Sequence, residues 1–264
     1  MDKLKNKKLF LLDMDGTIYI DDKLFDGTLD FLDYVKSING KCMFLTNNSS
    51  KSVDKYIEKL DKLGIYANED DFFTSTDATV LYLHKNYPNK KIYAFGTKAF
   101  KQQLKNSGIN IVDTLQDDVD CLVMGFDTEL TFQKLEDACI LLNRGVDYIA
   151  TNPDWVCPTW YGYVPDCGSI SEILFRATKR RPVFIGKPEP AMALLAIEKS
   201  GFTPDETLMI GDRIYTDIAC GKNAGISTAL VLSGETTLSD VEESSIKPDY
   251  IFDNIRKIYE ALRE

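Results

Sequence analysis

The sequence has a single histidine and no closely spaced cysteine pair, and both absences restrict its chemistry. His84 is the only candidate base for a Ser–His–Asp or Cys–His mechanism. It lies in VLYLHKNY, a stretch of helical pattern, and we expect it at the surface. The six cysteines include no Cys-x-x-Cys pair, so a zinc or redox site is not indicated. We expect these cysteines to be reduced and mostly buried.

Positive charge and long apolar segments are also scarce. The 31 Lys and Arg residues are outnumbered by 41 Asp and Glu residues, and the net charge of −10 argues against nucleic acid polymers and anionic membranes as partners. No apolar run approaches the roughly 18 residues of a membrane span, and MDKLKNKKLF lacks the apolar centre of a signal peptide. We therefore expect a cytoplasmic protein. An anionic substrate would need local positive charge or a metal.

Short apolar runs alternate with longer segments of helical period along most of the chain. KCMFLTN and STALVL are typical of buried strands, and the spacing of Tyr56, Leu60 and Leu63 is typical of a helix. Strand and helix in alternation predict an α/β fold, with a doubly wound, mainly parallel sheet covered on both faces.

The middle of the chain repeats this alternation by itself. KIYAFG, INIV, DCLVMGF and DYIAT read as strands, with helices near 98–107 and 131–143. We therefore predict an inserted, smaller α/β domain at 80–180, while 1–79 and 181–264 form the main domain.

Two acids follow the first apolar run directly, in LFLLDMDGT. If the strand continued through Met14, Asp13 and Asp15 would point to the same side. Two carboxylates about 4 Å apart repel by roughly 1 kcal/mol in water and roughly 4 kcal/mol at an effective dielectric of 20. A bound cation or a retained proton would offset this repulsion.

Four polar segments each follow or end a predicted strand. They are Asp13-Met-Asp-Gly-Thr17, Thr46-Asn-Asn48, Gly186-Lys-Pro188 and Gly211-Asp-Arg-Ile-Tyr-Thr-Asp217. Because the carboxyl ends of the strands in a doubly wound sheet line one crevice, we expect the four segments to converge there.

The chemical groups of these segments suit phosphoryl transfer. Carboxylates offer the hard oxygen ligands that Mg²⁺ prefers, and the cation would relieve the repulsion between Asp13 and Asp15. Lys187 and the Thr46 hydroxyl can cover phosphate oxygens that the metal does not reach. With no usable histidine, a carboxylate must be the nucleophile or the base.

At this point the sequence resembles a known family. DMDGT, the Thr of FLTNNSSKS, the Lys of FIGKPEP and MIGDRIYTD resemble the four motifs of the haloacid dehalogenase-like (HAD) hydrolases. TNNSSKS, GKPEP and an insert between the second and third motifs resemble the NagD, p-nitrophenylphosphatase-like branch. The resemblance implies a Rossmann-like core with an inserted α/β cap.

The resemblance also implies a role for each matched residue. Asp13 would attack phosphorus to form an aspartyl-phosphate, and Asp15 would protonate the leaving oxygen and then activate water. Mg²⁺ would be held by the carboxylates of Asp13 and Asp212 and by the backbone carbonyl of Asp15.

By the same resemblance, phosphate would be held by Thr46, the Asn47 backbone and Lys187. Asp217 would contact the residues that bind the metal without binding the metal itself. Gly16 would allow a sharp turn beside the metal, and Thr17 would fix that turn through a local hydrogen bond.

The loop from Asn152 to Gly168 is rich in proline and aromatic residues, and by analogy it would face the phosphate site. Its candidate specificity residues are Asp154, Trp155, Tyr161 and Tyr163, the aromatic ones by stacking on a ring or sugar face. No Lys or Arg lies between Asn152 and Arg176, which disfavours substrates with a second anionic group at the far end.

We therefore predict a Mg²⁺-dependent phosphatase for small phosphorylated metabolites such as sugar phosphates and nucleoside monophosphates, with p-nitrophenyl phosphate as an in vitro substrate. A narrow phosphatase for glycerol phosphate or phosphoglycolate is the alternative within enzymes. A phospho-accepting module or a non-hydrolytic ligand-binding protein is the alternative of another class. The sequence leaves a homodimer open.

Overall fold

The computed structural model describes residues 2–159 and 161–264, so Trp160 of the 152–168 loop lies outside the described residues. The described strands are β1 Leu9–Leu12, β2 Tyr19–Ile20, β3 Lys23–Leu24, β4 Lys41–Thr46, β5 Phe72–Thr74, β6 Ile92–Phe95, β7 Ile111–Val112, β8 Cys121–Met124, β9 Asp147–Ala150, β10 Val156–Thr159, β11 Gly162–Pro165, β12 Val183–Phe184, β13 Thr207–Gly211, β14 Ser227–Val231 and β15 Tyr250–Phe252. The described α-helices are α1 Asp2–Lys5, α2 Thr28–Ser37, α3 Val53–Lys62, α4 Ser75–Asn86, α5 Lys98–Asn106, α6 Phe132–Asn143, α7 Cys167–Thr178, α8 Ala191–Ser200, α9 Ala219–Asn223, α10 Leu238–Glu243 and α11 Ile255–Arg263.

The chain divides into two compact units. The first comprises Met1–Thr46, Asp54–Phe73 and Lys187–Glu264, and the second comprises Asn47–Val53 and Thr74–Gly186. The sequence boundary at residue 80 therefore falls inside α4, and the short segment after β4 groups with the second unit.

A six-stranded sheet forms the centre of the first unit, in the order β15-β14-β13-β1-β4-β5. β1 pairs in parallel with β4 on one side and with β13 on the other, and Leu12 lies opposite both Phe44 and Ile210. All four residues of β1 are fully buried, as expected for a strand covered on both faces. Strand order reverses between β1 and β13, the place in such sheets where ligands bind. The predicted α/β, doubly wound fold is confirmed.

The second unit has its own parallel sheet, in the order β12-β9-β8-β6-β7. Buried side chains of β6, β8 and β9 pack with those of α6 and α7, among them Phe95, Leu122, Leu141 and Leu174. β10 and β11 form an antiparallel hairpin that includes most of the aromatic loop.

One predicted strand belongs to a different sheet than we expected. The run PVFI was expected to lead into the central crevice, but β12 pairs in parallel with β9 of the second sheet. The apolar pattern of a segment predicts that it forms a strand, but it does not predict which strand it pairs with, because pairing depends on tertiary packing. Lys187 therefore lies in the loop between β12 and α8, at the point where the chain enters the first unit.

The cysteines and the single histidine were also predicted from the sequence. The six cysteines are free, but only three of them are buried and the other three are partly exposed, so the expectation that most are buried holds for half of them. His84 is exposed on α4. Among the described residues, no helix combines the length and apolar character needed to span a membrane.

Candidate active site

The candidate site begins where β1 ends. The backbone N–H of Asp13 donates to the carbonyl of Ile210 at 2.9 Å, so the first acid is fixed by the neighbouring strand. The chain then turns at Gly16, whose φ of +90° suits glycine. A Cβ on Gly16 would lie 2.6 Å from Oδ2 of Asp212, so only a residue without a side chain fits against that carboxylate.

Asp212 directly follows β13 and is almost fully buried. Its Oδ2 accepts a hydrogen bond from the Glu235 N–H at 2.7 Å. Its Oδ1 has no hydrogen-bond partner among the described residues. A buried carboxylate oxygen left without a donor is costly unless a cation completes it.

Asp13, Asp212 and Asp217 form a carboxylate cluster in which one oxygen of each lies within 4.8 Å of the others. Burial, followed by the charge of Asp217, raises the pKa of Asp212 to about 7. Burial also raises the pKa of Asp13 well above its ordinary value, against the opposing effect of Lys187. The raised pKa values mean that the ionised carboxylates are short of compensating positive charge. A hard divalent cation would supply that charge, so the residues present fit such an ion.

Lys187 supplies the cluster's own positive charge. Its Nζ lies 2.7 Å from Oδ1 of Asp13 and 2.7 Å from Oδ1 of Asp217, and it donates to the Leu45 carbonyl at 2.9 Å. Burial would lower the pKa of Lys187, but the two carboxylates outweigh it and the net pKa is raised. The ammonium group is therefore held charged in a site with 1% exposure of the residue.

Asp217 sits closer to the other acids than the sequence alone indicated. It lies in a π-helix, Ile214–Ile218, and its Oδ2 accepts from the Arg213 N–H at 3.0 Å. Together with its ion pair to Lys187, this makes Asp217 a buried member of the cluster.

The side chain of Asp15 contacts different groups from that of Asp13. β1 ends at Leu12, so the strand does not continue through Met14, and that condition for a shared side is not met. One oxygen of Asp15 lies 3.5 Å from Lys59 Nζ, and the other lies 3.4 Å from the Tyr19 hydroxyl. The side chain of Asp15 is thus outside the carboxylate cluster, with its own cationic neighbour.

The hydrogen bond predicted for Thr17 is wrong. Its hydroxyl is buried and has no hydrogen-bond partner among the described residues, while its backbone N–H donates to the Met14 carbonyl at 3.1 Å. Backbone hydrogen bonds close the turn, and the Ser233 hydroxyl, from a distant part of the chain, donates to the Gly16 carbonyl at 2.7 Å.

The second motif straddles the two units along the chain. Thr46 is the last residue of β4 and is buried in the first unit. Asn47 follows it directly and belongs to the second unit, where its side chain donates to Oδ2 of Asp154 at 2.7 Å.

The four candidate specificity residues fall into two groups. Trp155, Tyr161 and Tyr163 are exposed, at 51%, 63% and 60%. Asp154 is buried, at 1%, and accepts hydrogen bonds from two amide side chains. The three aromatic side chains are thus exposed at the surface, whereas Asp154 is enclosed by protein.

Lys59, Tyr19 and Ser233 were not found by sequence reasoning. Lys59 lies over the Tyr19 ring at 3.7 Å from its centroid, in addition to pairing with Asp15. Neither a lysine on a helix nor a tyrosine after a turn is a distinctive signal, because their contacts arise only in the folded chain.

Comparisons with known proteins show the family to which the chain is related. Residues 10–110 match the family model described as haloacid dehalogenase-like hydrolase, and residues 184–258 match a second HAD-hydrolase-like model. An acid sugar phosphatase from Staphylococcus epidermidis is 34% identical over 252 residues, which cover 96% of each chain.

Two solved structures are similar over nearly the whole chain. A 4-nitrophenylphosphatase from Thermotoga maritima superposes with a TM-score of 0.92 at 41% identity, covering 98% of this chain and 99% of that one. A glycerol phosphate phosphatase from Mycobacterium tuberculosis in complex with magnesium superposes with a TM-score of 0.90 at 28% identity, covering 97% of this chain and 77% of that one. The chain therefore belongs to the haloacid dehalogenase-like hydrolases, in the NagD, p-nitrophenylphosphatase-like branch of phosphoric monoester hydrolases.

Proposed function

We propose that this protein is a Mg²⁺-dependent phosphatase that hydrolyses small phosphorylated metabolites through an aspartyl-phosphate on Asp13. The observation that carries the proposal is the cluster of Asp13, Asp212 and Asp217 around Lys187, at the point where strand order reverses. The acid sugar phosphatase relative supports sugar phosphates as leading substrates.

The carboxylates of Asp13 and Asp212, together with the backbone carbonyl of Asp15, would hold the cation. The unpartnered Oδ1 of Asp212 and the raised pKa values support this assignment, as does the magnesium complex of the structural relative. When bound, Mg²⁺ supplies positive charge that offsets charge on the phosphoryl oxygens.

In the first step, a carboxylate oxygen of Asp13 attacks phosphorus, and the bond between phosphorus and the leaving oxygen breaks. Asp15 donates its proton to that leaving oxygen, so the product departs as an alcohol. Thr46, the Asn47 backbone N–H and Lys187 hold the phosphoryl oxygens during transfer.

In the second step, water attacks phosphorus of the aspartyl-phosphate. Asp15, now ionised, accepts a proton from that water, and the bond between phosphorus and the Asp13 oxygen breaks. Inorganic phosphate leaves and both acids return to their starting states.

The insert at 80–180 would act as a cap that contributes specificity. Trp155, Tyr161 and Tyr163 have the exposure needed to contact a leaving group. A lid that keeps bulk water from the site benefits a hydrolase, whereas a phospho-accepting module needs no such lid. The insert therefore favours a phosphatase over a phospho-accepting module.

A narrower specificity for glycerol phosphate is the second candidate, supported by the Mycobacterium tuberculosis relative. Phosphoglycolate is disfavoured, because the segment between Asn152 and Arg176 carries no Lys or Arg for a second anionic group.

Turnover of a panel of phosphomonoesters with Mg²⁺, with and without EDTA, tests the function. Multiple turnovers that EDTA abolishes are expected, with sugar phosphates among the best substrates. Stoichiometric release of the leaving alcohol that stops after one turnover, with the phosphoryl group retained on the protein, would instead identify a phospho-accepting module, and no release would leave a ligand-binding protein.

A further inference from the structure

The short segment after Thr46 is anchored by residues of the second unit. The Ser75 hydroxyl, at the start of α4, donates to the Asn47 carbonyl at 2.7 Å. The Ser49 hydroxyl accepts from the Phe126 N–H at 2.8 Å and lies 2.9 Å from the Thr151 hydroxyl. Asn47 and Ser49 are therefore held by groups from distant parts of the second unit.

The Asn47 side chain is fixed separately, by Asp154. Its Nδ2 donates to Oδ2 of Asp154 at 2.7 Å, and Asn152 Nδ2 donates to the same oxygen at 2.8 Å. Asn152 also contacts Asp166, the N-cap residue of α7, at 3.1 Å. Asn47, Asn152 and Asp154 are each more than nine-tenths buried.

The fit around Asn47 is tight as well as polar. A Cβ on Gly186 would lie 2.6 Å from Oδ1 of Asn47, so a side chain at 186 would displace the amide. Hydrogen bonds to a buried carboxylate are stronger than neutral ones, and they hold a fixed geometry. With its carbonyl held by Ser75 and its amide by Asp154, the orientation of residue 47 is set at two points.

We infer that Asp154 is a positioning residue for phosphate binding, acting through Asn47. The inference rests on the proposed function, in which the Asn47 backbone N–H holds phosphate. Asp154 accepts a hydrogen bond from the side-chain amide of Asn47. By holding residue 47 in this way, it fixes the direction of the backbone N–H of Asn47. Its effect falls on the phosphoryl group that all substrates share, and not on the leaving group.

Binding of inorganic phosphate with Mg²⁺, measured by calorimetry, tests the inference without requiring turnover. Asn47→Ala keeps the backbone N–H but loses the side-chain hydrogen bond, and Asp154→Ala loses the acceptor. Each is expected to weaken phosphate binding about tenfold, the effect of losing one hydrogen bond to a charged group. The double variant is expected to weaken it by the same factor, because both changes remove the same hydrogen bond between Asn47 and Asp154.

Two further variants separate positioning from damage to the fold. Asp154→Asn keeps a side-chain oxygen that can accept both hydrogen bonds and is expected to restore most of the affinity. Asp137→Asn is the matched control, since Asp137 is a buried carboxylate of the same unit that accepts from the Tyr93 hydroxyl at 3.0 Å. It is expected to leave phosphate affinity unchanged.

For p-nitrophenyl and sugar phosphates, KM is expected to rise by the same factor in Asn47→Ala and Asp154→Ala. If Asn47→Ala and Asp154→Ala both bind phosphate as tightly as the wild type, the inference is overturned while the phosphatase function stays intact. Losses that multiply in the double variant, or a KM change for one leaving group only, would also overturn it. Wild-type protein that binds no phosphate with Mg²⁺ would contradict the proposed function itself.

Discussion

The ammonium group of Lys187 lies 2.7 Å from Oδ1 of Asp13 and 2.7 Å from Oδ1 of Asp217, where it links two acids of the carboxylate cluster. A single buried cation thus stands between the acid that we assign as the nucleophile and an acid from another strand end. We therefore expect the stability of this region and its phosphate affinity to depend on the same side chain.

Replacing Lys187 by methionine should affect both properties. The substitution leaves buried carboxylates without their cation, and breaking a buried ion pair in this way costs about 3–5 kcal/mol of unfolding free energy. Urea unfolding without metal should show this loss, and turnover should disappear. Lys199→Met is the control, because Lys199 pairs with the exposed Asp70 at the surface of the same unit. Unfolding curves that coincide for Lys187→Met and wild type would contradict the electrostatic assignment.

The metal-free protein should lose stability as pH rises from about 4 to about 7. Burial raises the pKa of Asp212 from 3.8 to about 7, so in this window the folded chain keeps a proton that the unfolded chain has lost. The stabilising contribution of that proton is complete at low pH and is lost as pH passes the folded pKa. The melting temperature in EDTA, measured across this window, checks the sign.

Mg²⁺ should reverse this trend, because the cation binds the ionised carboxylates and stabilises the folded state by mass action. A melting temperature in Mg²⁺ that falls with pH as steeply as it does in EDTA would argue against metal binding at this cluster.

Asp13→Asn should abolish turnover and leave the fold intact, because an amide is a poor nucleophile and a neutral group relieves repulsion in the cluster. Its melting temperature without metal should equal or exceed that of the wild type. Residual turnover at a rate near wild type would show that another group attacks phosphorus.

Asp15→Asn should slow substrates unequally. A sugar phosphate needs its leaving oxygen protonated, whereas p-nitrophenolate leaves readily without a proton, so the loss in the rate of the first, phosphoryl-transfer step should be larger for the sugar phosphate. The pre-steady-state rate at which each substrate releases its leaving group provides the comparison, because the later hydrolysis step is common to both. Equal losses would speak against Asp15 as the acid.

Trp155→Ala and Tyr161→Ala should change relative rates among substrates, since both side chains are exposed and able to stack on a ring or sugar face. The ratio of kcat/KM for two sugar phosphates measures this, with Phe132→Ala, which removes an aromatic side chain of 80% exposure on α6, as the control. Unchanged ratios in both variants would remove these residues from the specificity surface.

The sequence allowed the positions of Asp13 and Asp212 to be predicted, because apolar runs ending in acids mark the carboxyl ends of parallel strands. It did not predict that β12 joins the second sheet, because the apolar pattern of a strand does not indicate which strand it pairs with. The partners of Asp15 and the burial of Asp154 were also beyond it. Both depend on side chains distant in sequence, such as Lys59 and Asn47, that meet only after folding.

The most direct test of the account is to trap the phosphorylated enzyme. Asp15→Asn, mixed with p-nitrophenyl phosphate and Mg²⁺ and quenched in acid, should accumulate the intermediate, because attack proceeds without the acid while hydrolysis lacks its base. Mass spectrometry after borohydride reduction should then find Asp13 converted to homoserine. An unmodified Asp13 in a sample that has released a stoichiometric burst of p-nitrophenol would contradict the aspartyl-phosphate mechanism.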